Sequence, residues 1–135
     1  MFQQLMLIGF LGKDPNPRIT PAGANITTFP LATSKTFRAE GGELITQTIW
    51  WQISAWGKLA ETCSAYLQKG SKVMVIGELR GDEKGHPRVW KGEDGAAHAS
   101  FDVVAAKVVF LSSKDEVKAS TQPDTAAGDD DAVPF

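Results

Sequence analysis

The densest concentration of chemical potential in this chain lies at residues 50–56, Trp-Trp-Gln-Ile-Ser-Ala-Trp. In an extended strand, alternation puts Ile49, Trp51, Ile53 and Ala55 on one face and Trp50, Gln52, Ser54 and Trp56 on the other. The first set suits a core, with Trp51 in the core or at an interface. The second pairs two large indoles with two polar side chains, an odd composition for a buried surface. Aromatic rings on a polar face suit stacking against nucleobases, which all present a π-face whatever their identity. Phe37 stands beside Lys35 and Arg38, and Trp90 lies between Arg88 and Lys91. Stacking rings with nearby cations are what single-stranded nucleic acid requires. The competing reading for each ring is packing in the core or against another subunit.

Catalysis finds less support. His86 sits between Gly85 and Pro87, and His98 has no acidic or thiol neighbour at ligand spacing. One cysteine and two isolated histidines make no zinc pattern. No bound metal and no cofactor is expected. Gly9, Gly12, Gly41, Gly42 and Gly81 make no phosphate-cradling loop. Cys63 falls on the apolar side of a helical stretch, where packing is the expected role. A nuclease on the same scaffold would need carboxylates clustered on the strands, and the strands are nearly free of them. The chain reads as a binder and not as an enzyme.

The other unusual segment is the C-terminus. Residues Asp115 to Phe135 hold six acids against one base, and the remaining 114 residues hold thirteen bases against ten acids, so a body of +3 is joined to a tail of −5. A polar, acidic, turn-rich stretch buries too little apolar surface to offset its ordering entropy and is expected to be disordered. It ends Asp129-Asp130-Asp131-Ala132-Val133-Pro134-Phe135. A terminal ring beside a free carboxylate suits docking in a basic-rimmed apolar pocket. Asp129, Asp130 and Asp131 would steer, while Val133, Pro134 and Phe135 would fill the pocket. A solvated terminus is the bland alternative. Composition shifts after Leu111, which divides the chain into a body at 1–112 and a tail at 113–135.

The elements that must position these residues are mostly strands. Gln4–Leu11, Asn25–Ser34, Gln47–Trp56, Lys72–Leu79 and Ala99–Phe110 read as five β segments. Gly41-Gly42 marks a hairpin tip, and Pro30 suggests a bulge or an edge. Lys58–Gln68 reads as the one helix, with Leu59, Cys63, Tyr66 and Leu67 on one face and Gly70 as its stop. Three strands, a helix and two strands in one domain suggest an all-β fold. Its form would be a five-stranded Greek-key barrel of the oligonucleotide-binding (OB) type, with the helix between strands three and four. A split sandwich has the same element order. No apolar run approaches a membrane span, no secretory signal opens the chain, and a lone cysteine gives no disulfide. The expected location is the cytoplasm.

Taken in order, several short motifs resemble the bacterial-type single-stranded DNA-binding proteins. They are Ile8-Gly9-Phe10-Leu11-Gly12-Lys13-Asp14-Pro15 with Arg18, Leu31-Ala32-Thr33-Ser34, Thr48-Ile49-Trp50, Trp56-Gly57-Lys58-Leu59-Ala60-Glu61, Tyr66-Leu67-Gln68-Lys69-Gly70 and Ile76-Gly77-Glu78-Leu79-Arg80. The acidic tip matches as well. The resemblance implies an OB-fold homotetramer, nucleoid-associated, that wraps single-stranded DNA with little sequence preference. It also implies a tip that recruits replication, recombination and repair proteins. Trp50 matches the family's stacking tryptophan, Trp56 and Phe37 match stacking aromatic positions, and Trp90 matches the aromatic of the loop between strands four and five. Arg18, Lys58, Lys69 and Arg80 match positions that meet phosphate. The chain departs from the pattern in a longer Gly81–Gly95 loop, in Trp51 where His is commoner, in Ala132-Val133 where one Ile is typical, and in a short linker. A replication-restart OB module acting mainly through protein contacts is the second reading, and this tail is not expected on one.

Overall fold

The computed structural model describes residues 1–112. The tail residues Asp129, Asp130, Asp131, Val133, Pro134 and Phe135 therefore lie outside the described residues. In chain order the elements are β1 (Leu5–Leu11), β2 (Asn16–Ile19), β3 (Asn25–Arg38), β4 (Leu44–Trp56), α1 (Lys58–Tyr66), β5 (Lys72–Leu79), β6 (Arg88–Lys91) and β7 (Ala97–Phe110). Strands pair in the order β1-β5-β7-β4-β3, and β3 returns to β1 through Phe10↔Ala32 and Leu11↔Leu31. The ring is thus closed, with β4 and β7 its parallel pair. This is the five-stranded OB barrel, with α1 between its third and fourth strands.

Alternation builds the core. Leu7 and Leu11 of β1, Phe29 and Leu31 of β3, Ile53 and Ala55 of β4, Val73 and Val75 of β5 and Val103 and Ala105 of β7 point inward and are buried. Each such side chain, taken from water, contributes about 1.5–3 kcal/mol for the larger residues. Cys63 and Leu67 close one end, and the Thr27 hydroxyl donates to the Ala60 carbonyl at 2.8 Å, tying the helix to β3. Burial pushes the Cys63 thiol up to about 11, so it packs as a neutral group. The β5–β7 register slips at Gly77, where a Cβ would lie 2.1 Å from the Val104 carbonyl oxygen. Only a residue without a side chain allows that approach.

Several boundaries differ from those expected. The β3–β4 ladder continues to Arg38↔Leu44, well beyond Ser34 and Gln47, and forms an arm projecting from the barrel. Its outer part carries little apolar periodicity and is cross-linked by hydroxyl pairs, Ser34–Thr48 and Thr36–Thr46, each at 3.1 Å. Strands β2 and β6 are short, exposed and unanticipated, pairing with β3 and β7 respectively. Pro30 makes neither a bulge nor a sheet edge. It pairs with Gln52 on one side, and on the other it sits where β3 exchanges β2 for β1. Its missing N–H faces that gap, while its carbonyl accepts from Gly12 N–H at 3.0 Å. The helix ends at Tyr66, two residues early, and Tyr66 is exposed against Phe110 instead of facing the core.

Candidate nucleic-acid interface

The register of β4 separates its tryptophans as alternation requires. Ile53 and Ala55 are fully buried, and Trp51 packs half-buried against the core. The Trp51 indole N–H donates to Thr33 Oγ1 at 2.8 Å, and its ring lies 5.3 Å from that of Phe101. Trp50 and Trp56 point the other way and are 54% and 39% exposed. They stand six positions apart along the strand, about 20 Å. Gln52 and Ser54 lie between, half-buried, facing Pro30 and Thr28 across the ladder.

Trp50 has a specific seat. Its cross-strand partner is the small Ala32, so the indole leans across to the end of β1. A Cβ at Gly12 would sit 2.4 Å from Trp50 Cζ3 and 2.7 Å from Cη2. Gly12 has no positive φ, so space and not backbone conformation calls for glycine there. Asp14, two residues on, accepts the Lys69 backbone N–H at 2.8 Å, which anchors Lys69 beside the same loop. Lys58 opens α1, two residues after Trp56, and is exposed.

Arg18 of β2 and Arg80, just past β5, line one open cleft of about 610 Å³ together with Gln52, Ser54, Arg88 and Asp102. The structure therefore joins two of the expected cations to the tryptophan face, and adds two residues that the sequence did not single out as contacts. Arg88 Nε donates to Asp102 Oδ2 at 2.8 Å. Ser100 donates its hydroxyl to Asp102 Oδ1 at 2.6 Å and accepts from Arg88 Nη2 at 3.0 Å. Burial alone would raise the Asp102 carboxyl. The hydrogen bonds from Arg88 and Ser100 and the charges of Arg88 and Arg80 outweigh it and hold the group below the usual carboxylate range.

Trp90 lies on the β6–β7 hairpin, 42% exposed, with Lys91 next to it at the strand end. The Arg88 guanidinium sits 4.6 Å from the centre of its ring, and the facing His98 stacks at 5.8 Å. His98 Nε2 also reaches Asp94 at 3.4 Å. The Asp94 carboxyl is lowered first by the Ala96 N–H and then by His98. Phe37 is 40% exposed on the β3–β4 arm. It pairs with Ile45, as Lys35 does with Gln47, in the alternating set that also holds Leu31 and Trp51. Phe37 and Lys35 thus occupy the opposite face of the arm from Trp50. Arg38 returns to the Trp50 side, where it donates to the Gly42 carbonyl at 3.2 Å.

A sequence model for the single-strand binding protein family matches residues 2–111. The chain belongs to the single-strand binding protein family. It is 39% identical over 113 residues to single-stranded DNA-binding protein 1 of Chlorobaculum tepidum, covering 83% of this chain and 66% of that one. A single-stranded DNA-binding protein of Neisseria meningitidis serogroup A is 34% identical over 113 residues, covering 84% and 62%. The chain therefore spans just under two thirds of the length of these relatives. A Plasmodium falciparum SSB in complex with ssDNA has the same fold, with a TM-score of 0.68 at 27% identity, covering 83% of this chain and 97% of that one. Among the described residues of this family member, no group of three His, Cys, Asp or Glu could hold a metal ion. No helix among them is long and apolar enough to cross a membrane.

Proposed function

We propose that this protein binds single-stranded DNA without sequence preference and without catalysis. The observation that carries the reading is the pair of exposed indoles, Trp50 and Trp56, on a polar strand face beside a cleft lined by Arg18 and Arg80. Rings supply stacking, worth about 1–3 kcal/mol per base and indifferent to sequence. Arg18, Lys35, Arg38, Lys58, Lys69, Arg80 and Lys91 supply cations for a phosphate backbone, and Phe37 and Trp90 supply further rings. Names of the relatives support the same substrate. Duplex DNA, whose bases are stacked inward, cannot use the indoles.

The same reading extends to assembly. On the outer side of β1 and β5, Met6 pairs with Ile76 and Ile8 with Met74, while Val109 of β7 flanks Met74. With Phe10 they make an apolar outer face opposite the core residues, and Met6 is 58% exposed. Burying that face between subunits supports a homotetramer. Residues 1–112 then form the binding and oligomerisation domain. The tail at 113–135 recruits replication, recombination and repair proteins through its acidic tip, in the cytoplasm and at the nucleoid.

Titration of intrinsic tryptophan fluorescence with oligothymidylate tests binding and stacking together. Saturable quenching is expected, and the affinity should fall with salt at a log–log slope of about −0.7 per phosphate neutralised. Unquenched fluorescence, or equal affinity for duplex of the same length, refutes the reading. Sedimentation equilibrium tests the tetramer, and a monomer at micromolar concentration would refute it.

A further inference from the structure

Asp102 is the least exposed of three acids, with Asp82 and Glu83, in a cleft that also holds Arg18, Arg80 and Arg88. A carboxylate there repels phosphate, and by charge alone it opposes the binding proposed above. Its geometry gives it a different part. Asp102 is 13% exposed while Arg88, its partner, is 49% exposed, so the acid is the fixed end of the pair. It grips Arg88 at Nε, and Ser100 bridges Asp102 to Arg88 Nη2, which leaves the guanidinium little rotational freedom. The guanidinium so held has its Cζ 4.6 Å from the centre of the Trp90 ring, and His98 stacks on that ring from the facing strand. Arg88 Nη1 makes no hydrogen bond among the described residues, and it is the donor left for an incoming anion.

We propose that Arg88 and Asp102 work as one unit in single-strand binding, Asp102 being a positioning residue that aims the free end of Arg88 at a backbone phosphate and holds Trp90 for a base. The inference rests on the reading of this face as a single-strand binding surface. An arginine fork held on two sides is pre-organised, so less freedom is lost on meeting phosphate than for an untethered side chain.

Charge and position make opposite forecasts for Asp102→Asn, which removes a negative charge from a DNA-binding cleft. If charge alone matters, affinity for oligothymidylate rises. If Asp102 positions Arg88 and Trp90, affinity falls by roughly three- to tenfold, the net scale of one ordinary hydrogen bond. Arg88→Lys preserves charge but lacks the fork that binds Asp102 and Ser100 together while reaching over the ring. It should lose a similar factor and not be silent. A spectroscopic readout separates positioning from general damage. With 5-fluorotryptophan throughout, the Trp90 resonance, assigned by its loss in Trp90→Phe, should shift in Asp102→Asn before DNA is added, while those of Trp50, Trp51 and Trp56 stay in place. Should Asp102→Asn fail to fold, Arg88→Lys decides, because it leaves the partly buried carboxylate a cationic partner. Unchanged or tighter binding by the variant that decides, with wild type binding normally, overturns the proposal. Wild-type protein that fails to bind the oligonucleotide overturns the underlying reading instead.

Discussion

A methyl group at residue 12 should cost this protein DNA affinity and almost nothing else. In Gly12→Ala the new Cβ would lie 2.4 Å from Trp50 Cζ3. Carbon pairs rest at about 3.5–4.0 Å, so the ring must retreat by about 1 Å or more. Trp50 is 54% exposed and has solvent to move into. The backbone at Gly12 is open to alanine, so the folded state should lose only about 0.5 kcal/mol, as is usual for surface changes. The displaced indole no longer lies over the end of β1, and it forfeits most of a stacking contact worth about 1–3 kcal/mol. Dissociation constants for a short oligothymidylate should rise about fivefold to 150-fold. Fluorescence anisotropy of a labelled oligonucleotide measures this, with a thermal melt as the control for folding. A cycle with Trp50→Ala isolates the cause, because Gly12→Ala should add nothing once the ring is gone. Equal, additive losses in the two backgrounds would falsify the seating argument and place the effect in the β1–β3 backbone.

Further expectations follow from other parts of the molecule. Trp56→Ala should weaken single-strand binding by about 1–3 kcal/mol with the fold intact, whereas Trp51→Ala should lower stability by about 3 kcal/mol, the lower end for a large core side chain; chemical denaturation and oligonucleotide titration of both variants distinguish them. Because the Asp102 carboxyl is lowered in the folded state, its contribution to stability is present above the ordinary value of about 3.9 and disappears as pH falls through the folded one. The Arg88 contact should therefore be unchanged from neutral pH down to about pH 5, and a carboxyl-carbon NMR midpoint for Asp102 at or above the ordinary value contradicts the geometry. Cys63, fully buried and raised to about 11, should resist a thiol reagent at mildly alkaline pH until the protein unfolds; rapid native-state modification means that α1 opens far more readily than its packing implies. Deleting Phe135 should abolish capture of protein partners nearly as well as deleting Asp129–Phe135, while the triple Asp→Asn change at 129–131 should be milder. The reverse order in a pull-down makes the tip an electrostatic patch.

Much of this architecture was legible because period-two alternation is a strong signal wherever one face is buried. Trp50 and Trp56 were separable from Trp51 on that ground alone, and the structure keeps them apart. The signal fades where a strand leaves the core. The outer β3–β4 arm is mostly Ser, Thr, Lys, Arg and Gln, and its few apolar residues, Phe37, Leu44 and Ile45, fall on both faces, so its ladder continues on backbone hydrogen bonds without apolar periodicity. Strands β2 and β6, four residues each and exposed throughout, give no hydrophobic pattern at all. Tyr66 had helical spacing but fell at the last turn, beyond the barrel's closed end. Arg88 was visible as a neighbour of Trp90. Its bond to Asp102, fourteen residues away, depends on β6 pairing with β7 and has no local signature. Gly12 merely follows the strand legible over Gln4–Leu11, and only the tertiary approach of Trp50 reveals why it carries no side chain.

The placement of Phe37 and Trp50 on opposite faces of one two-stranded ribbon has a mechanical consequence. A flexible polymer that touches both rings of one subunit must cross the ribbon's edge and reverse direction. Oligonucleotides too short to turn should engage a single face, and the second ring should come into play only above a threshold length. Occupancy of Phe37 then reports contour length and not concentration. Under tension the order reverses: a stretched strand straightens, and the contact beyond the turn should release first, at forces that leave the Trp50 face loaded.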